Sequence, residues 1–231
     1  MKPLIGVTTS RDLTGLVQSL AIRMCLFVCG AKTTLISPDK SHIKANELDG
    51  LLISGGTDLY PHLYQNSDLK QGYRYNHARD KLELELLKGA KKYKLPIFCI
   101  CRGAQLLNIF KGGTLHTDIS KVFENAKYPN SFFAKVFFRK KINIKRDTRL
   151  DEIFKTQESE VNSLHSQAID KLGNELEVSA EEDNGVVQAI EGTSKRFIIG
   201  VQFHPEFLFY RKEIRTLFSE FVQACSEAKR K

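Results

Sequence analysis

Four short apolar runs, KPLIGVT at 2–8, TTLI at 33–36, GLLIS at 50–54 and LPIFCI at 95–100, are set among helix-length stretches in the first hundred residues. Runs of this length and composition read as buried strands. Leu16 to Cys29 supplies one helix, with Val17, Leu20, Ala21, Met24, Phe27 and Val28 on one face and Gly30 as its terminator. About Ala78 to Tyr93 supplies another, ahead of the fourth strand. Strands that alternate with helices pair in parallel, because each crossover returns the chain to the same end of the sheet. The expected fold class is therefore α/β, with a central, mainly parallel sheet covered on both faces. Such sheets bind ligands in the crevice beyond the carboxyl ends of their strands.

The later half adds strand-like stretches near 134–144, 159–163, 186–190 and 197–203. A closing amphipathic helix carries Ile214, Leu217, Phe218, Phe221, Val222 and Cys225. No repeat, low-complexity linker or compositional break divides the 231 residues, so one domain over 1–231 is expected. Gly55 to Asn76 is the longest expected loop, and long loops in compact domains tend to be functional. The N-terminal stretch has no secretory h-region and no run of about 18 apolar residues occurs, so a cytoplasmic protein without a membrane partner is expected. Cys25, Cys29, Cys99, Cys101 and Cys225 are odd in number and have no His or Cys cluster of zinc type beside them. Reduced thiols and no zinc site of that type are expected.

A net charge of +8 raises the question of a nucleic-acid partner, the more so because Lys135, Arg139, Lys140, Lys141, Lys145, Arg146 and Arg149 crowd one segment. The same segment alternates like a strand. Ala134, Val136, Phe138, Ile142 and Ile144 suggest an edge hairpin with a basic polar face, and lysine on a sheet edge guards against edge-to-edge pairing. No zinc finger, helix-turn-helix or RNA-binding signature accompanies the charge, so no nucleic-acid partner is expected.

Chemistry concentrates after the fourth strand, in FCICRGAQ at 98–105. A nucleophile elbow needs a strand, a nucleophile in a strained conformation, a small residue close by and a helix whose N-terminus faces the nucleophile. Cys101 with Gly103 and the helix-compatible stretch to Phe110 meets that description, and a helix N-terminus favours the thiolate. Cys99 falls inside the strand; by alternation it points the same way as Cys101, but only Cys101 stands at the strand end. At both positions the competing reading is a small buried hydrophobe, the commonest role of a free cysteine. A thiolate needs a base, and the base an orienting group. His204 follows the apolar run from Phe197 to Val201, with Glu206 two residues on. Alone, that pair is as readily a solvated histidine with an unrelated carboxylate. Ser54-Gly55-Gly56-Thr57-Asp58 follows the third strand, and paired glycines let backbone N–H groups approach a substrate as an oxyanion hole requires. Elbow, glycine pair and His-x-Glu sit at three strand ends on one edge of one sheet.

Cys-Arg-Gly-Ala-Gln at 101–105, Ile-Ser-Gly-Gly at 53–56 and Val-Gln-Phe-His-Pro-Glu at 201–206 resemble the class I glutamine amidotransferase superfamily. Gly55-Gly56-Thr57-Asp58 with Pro61 and Tyr64, Arg79-Asp80 and Val161-Asn162-Ser163-Leu164-His165-Ser166-Gln167 are similar to its stand-alone gamma-glutamyl hydrolase branch. The likeness runs from first strand to last helix, leaving 120–135 unmatched. It implies a three-layer, flavodoxin-like sandwich and a Cys101, His204, Glu206 triad. It also implies an oxyanion hole from backbone N–H groups at Gly55, Gly56 and Arg102. Gln105 is implied to hold the glutamyl group and Ser163 and Leu164 to line the same pocket, while His165 either borders the leaving group or packs. One departure stands out: Cys99 occupies a slot that the family usually fills with Gly or Ala.

The implied activity is cysteine-dependent hydrolysis of a small-molecule gamma-glutamyl amide through a glutamyl thioester, with no metal or cofactor. The alternative is a glutaminase subunit that supplies ammonia to a separate synthase. A homodimer and a separately encoded synthase are the protein partners left open. A non-catalytic binding domain on the same scaffold would carry a broken triad, and all three residue types are present.

Overall fold

The structure, a computed structural model, describes residues 1–10, 12–39, 43–66, 69, 75–124, 138–163 and 165–228. Its elements in chain order are β1 (Leu4–Thr8), α1 (Leu13–Val28), β2 (Lys32–Ile36), β3 (Gly50–Ile53), α2 (His77–Lys92), β4 (Ile97–Ile100), α3 (Arg102–Phe110), β5 (Leu115–His116) and β6 (Lys140–Ile144). There follow α4 (Arg149–Phe154), β7 (Glu158–Val161), β8 (Ala168–Ile169), β9 (Leu176–Glu181), β10 (Val187–Gly192), β11 (Ile198–Val201) and α5 (Lys212–Ala228). Nine strands form one sheet in the order β2-β1-β3-β4-β11-β10-β9-β6-β7, while β5 and β8 pair apart from it. The five strands from β2 to β11 are parallel, and β10, β9, β6 and β7 extend them antiparallel.

Local chemistry sets the helix ends. The Asp12 carboxylate accepts from Gly15 N–H to start α1, and Asn76 does the same from Arg79 N–H for α2. At the far end of α1, Gly30 at φ 93° donates to Phe27 O while Ala31 N–H reaches Leu26 O, the paired bonds that close a helix on a left-handed residue.

Helices cover both faces, giving the expected three-layer α/β sandwich. Ile22, Cys25 and Leu26 of α1, Leu150, Ile153 and Phe154 of α4, and the α5 stripe from Ile214 to Cys225 pack on one face with Val7, Phe98, Ile100, Ile199 and Val201. Leu86, Leu87 and Ala90 of α2 with Ala104, Leu106 and Leu107 of α3 pack on the other, against Leu51, Ile53, Ile97 and Cys99. No helix among the described residues is long and apolar enough to cross a membrane.

Two sequence expectations change. The α1 stripe of Val17, Leu20, Met24, Phe27 and Val28 is exposed, and the helix instead turns Gly15, Gln18, Ser19, Ile22, Cys25 and Leu26 inward. In the basic segment, Ala134, Lys135 and Val136 lie outside the described residues. The remainder is no sheet edge: β6 is flanked by β7 and β9, and carboxylates on or directly after those strands answer the lysines on or directly after β6. Lys141 meets Glu158 at 2.8 Å, Lys145 meets Glu181 at 3.2 Å and Lys140 meets Glu182 at 3.3 Å.

Candidate active site

In the sheet order β3, β4 and β11 are neighbours and run the same way, so Gly55-Gly56, Cys101 and His204 leave three adjacent carboxyl ends with the cysteine in the middle. Cys101 sits at φ 52°, ψ −109°, a strained conformation for a residue with a Cβ, and α3 starts at the next residue. Gly103 is required there, because a Cβ on it would run into the carbonyl oxygen of Ile53. Tight seating of α3 on β3 thus depends on that one missing side chain. The turn also overrides strand alternation: Cys99 packs with Ile97 on the α2/α3 face, whereas Cys101 joins Phe98 and Ile100 on the other. The two cysteines therefore point to opposite faces, contrary to the period-two expectation, since the strand ends at Ile100. Burial, with the Glu83 charge adding to it, holds the Cys99 thiol well above the usual range.

Beside Cys101, His204 and Glu206 are buried, and His204 Nδ1 lies 2.9 Å from Glu206 Oε1. Nδ1–H therefore donates to the carboxylate and leaves Nε2 for Cys101, with which the ring shares a side-chain hydrogen bond. Burial disfavours the imidazolium, but the charges of Glu206 and Cys101 outweigh it and raise the pKa to about 9. Asn162, fully buried, accepts the His204 backbone N–H at 3.1 Å and fixes the strand end.

A buried ionic lattice ties the elbow to the glycine loop. The Arg102 guanidinium points inward and donates to Asp80 and Glu83, and Arg79 Nε donates to Glu83 Oε1 at 2.8 Å. Arg79 Nη2 then donates to Ser54 O, Ser54 Oγ and Gly55 O at 3.1, 3.0 and 2.9 Å. In a trans peptide N–H and C=O point opposite ways, so clamping the Gly55 carbonyl turns the Gly56 N–H away from Arg79, at an exposed position. The Arg102 N–H, first in α3, has no acceptor within its helix. Burial alone would raise Glu83; Arg102 and Arg79 overcome it and hold the carboxyl below its usual range.

Of the remaining residues singled out by sequence, Gln105, Ser163 and His165 take definite places. Gln105 Nε2 spends both its hydrogens on the protein, donating to Gln167 O at 2.8 Å and Gln202 Oε1 at 3.0 Å. Gln202 in turn places Nε2 3.5 Å from Cys101 Sγ, so Gln105 braces a neighbour of Cys101. Ser163 is fully buried and its hydroxyl has no partner among the described residues. Leu164 lies outside the described residues. His165 Nδ1 is 2.7 Å from Gln167 O, and burial lowers its pKa to about 4, so its ring is neutral. Gln18, Asn162, Glu83 and Gln202 are supporting residues to which no motif in the sequence assigns a role. For Gln18 and Gln202 the available signal is a polar residue inside an otherwise apolar run, whereas Glu83 is one of several charges on α2 and has no such signal.

The family model described as Peptidase C26 matches residues 3–206, ending on Glu206. A glutamine amidotransferase-like protein of Rickettsia prowazekii is 34% identical over 216 residues, covering 77% of this chain and 77% of its own length. A gamma-glutamyl-gamma-aminobutyrate hydrolase of Escherichia coli O157:H7 is 30% identical over 187 residues, with 78% and 72% covered. Among solved structures, a glutamine amidotransferase of Thermotoga maritima aligns over 100% of this chain and 91% of its own with a TM-score of 0.64 at 14% identity, a likeness of fold.

Proposed function

The chain belongs to the Peptidase C26 family, within the class I glutamine amidotransferase-like superfamily of enzymes that act on amide bonds, and from that premise we propose that Cys101, His204 and Glu206 hydrolyse a gamma-glutamyl amide. The observation that carries the reading is the strained Cys101 at the head of α3 in contact with a buried His204 whose other nitrogen meets Glu206. The Cys101 thiolate attacks the amide carbonyl carbon, forming a C–S bond and moving a pair of electrons onto oxygen. Backbone N–H groups of Gly56 and Arg102 receive that oxyanion; Gly55 contributes by its clamped carbonyl. As the C–N bond breaks, His204 Nε2 gives its proton to the departing amine. The same nitrogen then takes a proton from water, which attacks the thioester and expels the thiolate. Glu206 holds the imidazole in the Nδ1–H tautomer throughout.

Ser163, whose buried hydroxyl has no partner among the described residues, is the residue in this reading closest in kind to a hydrogen-bond donor for the glutamyl group. Gln105 contributes only through its oxygen, its NH₂ being spent. Because the set draws on residues from Gly55 to Glu206 and is packed by α1 and α5, the chain works as one catalytic domain over 1–231.

The test is incubation of the purified protein with a panel of gamma-glutamyl amines, gamma-glutamyl peptides and glutamine, with glutamate and amine measured separately. Stoichiometric glutamate and amine from a conjugate, abolished by Cys101→Ala in a folded protein, is the expected result. Glutamate from glutamine alone would make the chain a glutaminase subunit, and wild-type turnover by Cys101→Ala would remove the nucleophile assignment.

A further inference from the structure

α1 carries an uncharged polar side chain into the site. Gln18 is 3% exposed, and its Nε2 lies 2.9 Å from Glu206 Oε1 and 3.0 Å from His204 Nδ1. Those two atoms are themselves 2.9 Å apart, so the three form a near-equilateral triangle. Only one arrangement of hydrogens satisfies it. If the amide were turned over, Gln18 Oε1 would sit against a carboxylate oxygen, acceptor on acceptor. With Nε2 in place, Gln18 and His204 Nδ1–H both donate to Oε1, and the Nε2 to Nδ1 distance is the third side of the triangle rather than a bond. Glu206 Oε2 has no partner among the described residues. The two donors on Oε1 therefore fix the rotation of the carboxylate.

Gly55 makes room for this contact. A Cβ there would come within 2.6 Å of Gln18 Nε2 and 3.1 Å of His204 Cε1. The first glycine of the loop thus lets α1 and the base approach one another, a different task from aiming N–H groups. Other ionisable groups facing the pair are Cys101, His165 across the site, and Cys25 of α1, whose Sγ is 3.8 Å from Glu206 O.

We propose that Gln18 is a positioning residue for the base: its amide clamps Glu206 so that the carboxylate stays on His204 Nδ1 and the imidazole stays on Cys101. This role rests on the reading of Cys101, His204 and Glu206 as the reacting set, so its test includes a readout that needs no substrate. Cys101 alkylation by iodoacetamide is followed by peptide mass spectrometry from pH 5 to 10 in wild type, Gln18→Met and Gln18→Glu, with folding checked by circular dichroism. A hydrogen bond to a charged group has a net effect of about 10- to 100-fold.

Gln18→Met should slow Cys101 alkylation at neutral pH by about that factor and move its profile to higher pH. On a cleaved amide it should lower kcat by a similar factor with KM unchanged. Gln18→Glu, which donates to Glu206 only while the pair shares a proton, should follow wild type at the acid end and fall behind as pH rises. If Gln18→Met does not fold, Gln18→Glu decides. A folded variant of either kind that tracks wild type across the range overturns the role. A shifted alkylation profile in a protein whose wild type cleaves no gamma-glutamyl amide would retain the clamp and remove the substrate reading instead.

Discussion

Replacing Glu83 by Gln tests whether the lattice behind the elbow holds the site together. Arg79, Asp80, Glu83 and Arg102 are between 0% and 3% exposed and balance two positive charges against two negative. Glu83 takes Arg79 on one oxygen and Arg102 on the other, and the Thr8 hydroxyl also bonds to it. An amide of the same shape keeps the volume but turns its NH₂ toward one of the two guanidinium groups and leaves the cluster with one uncompensated positive charge. Breaking a buried pair in this way costs about 3–5 kcal/mol. At about 2–4 °C per kcal/mol for a chain of this size, the melting temperature should fall by about 6–20 °C. An internal control lies on the same helix: Glu85 pairs with Lys88 at 2.7 Å, with side chains 60% and 63% exposed. Glu85→Gln should therefore cost no more than about 1 kcal/mol. The assay is urea and thermal unfolding of wild type and both variants at pH 7 and in acid. Because the folded state holds Glu83 below its ordinary pKa of 4.5, its contribution is present above that pH and fades as pH falls through the folded value. The gap between wild type and Glu83→Gln should narrow on acidification. A Glu83→Gln protein within about 1 kcal/mol of wild type, the scale of an exposed pair, would refute the lattice as a brace.

Three further outcomes follow from the geometry. His204 sits above an ordinary imidazole, at about 9 against 6.5, so kcat/KM should fall on the alkaline side near pH 9, and the stabilisation from its pairing with Glu206 should be complete below pH 6.5 and be lost through pH 9; a pH profile of wild type against Glu206→Gln, in which the alkaline limb moves down, checks it. Gly103→Ala should displace α3 from the Ile53 carbonyl, at a cost of about 1–3 kcal/mol and with a loss of turnover, both read from unfolding curves and kinetics. Cys99→Ala should cost about 1 kcal/mol and keep activity within about twofold, while mild iodoacetamide labels Cys101 and spares Cys99 in the parent protein.

What the chain spells out locally, it spells out well. Each of Cys101, His204 and the glycine pair lies within three residues of a strand whose apolar run marks its own end, so finding the strands finds the three. Adjacency of β3, β4 and β11 is a different kind of fact, set by long-range pairing, and nothing local to any one strand specifies it. Strand alternation does not give the direction of Cys101, because the strand ends one residue before it and Cys101 itself is at positive φ. The α1 stripe differs for another reason: the helix has two candidate faces. Leu13, Leu16, Leu20, Met24 and Phe27 make the more apolar one, yet it is exposed, and nothing within the helix shows which face meets the sheet.

The supporting residues share a signature that periodicity alone would have discarded. On α2 the buried apolar stripe of Leu86, Leu87 and Ala90 continues toward the helix start as Glu83, then Asp80 and Arg79, all inside. On α1 the stripe of Ile22, Cys25 and Leu26 continues the same way as Gln18 and Ser19. Both helices begin near the carboxyl ends of the parallel strands, since each follows β1 or β3 in the chain. A core stripe that turns polar over its first turns, at the end of the sheet where ligands bind, marks the place where burial is exchanged for positioning. Buried polar groups need partners, and those partners are here the glycine loop, the elbow and the Glu206 carboxylate. The cost of burying Arg79, Glu83 and Gln18 is thus offset by interactions with the site itself, which is why their loss should be felt in chemistry as well as in stability.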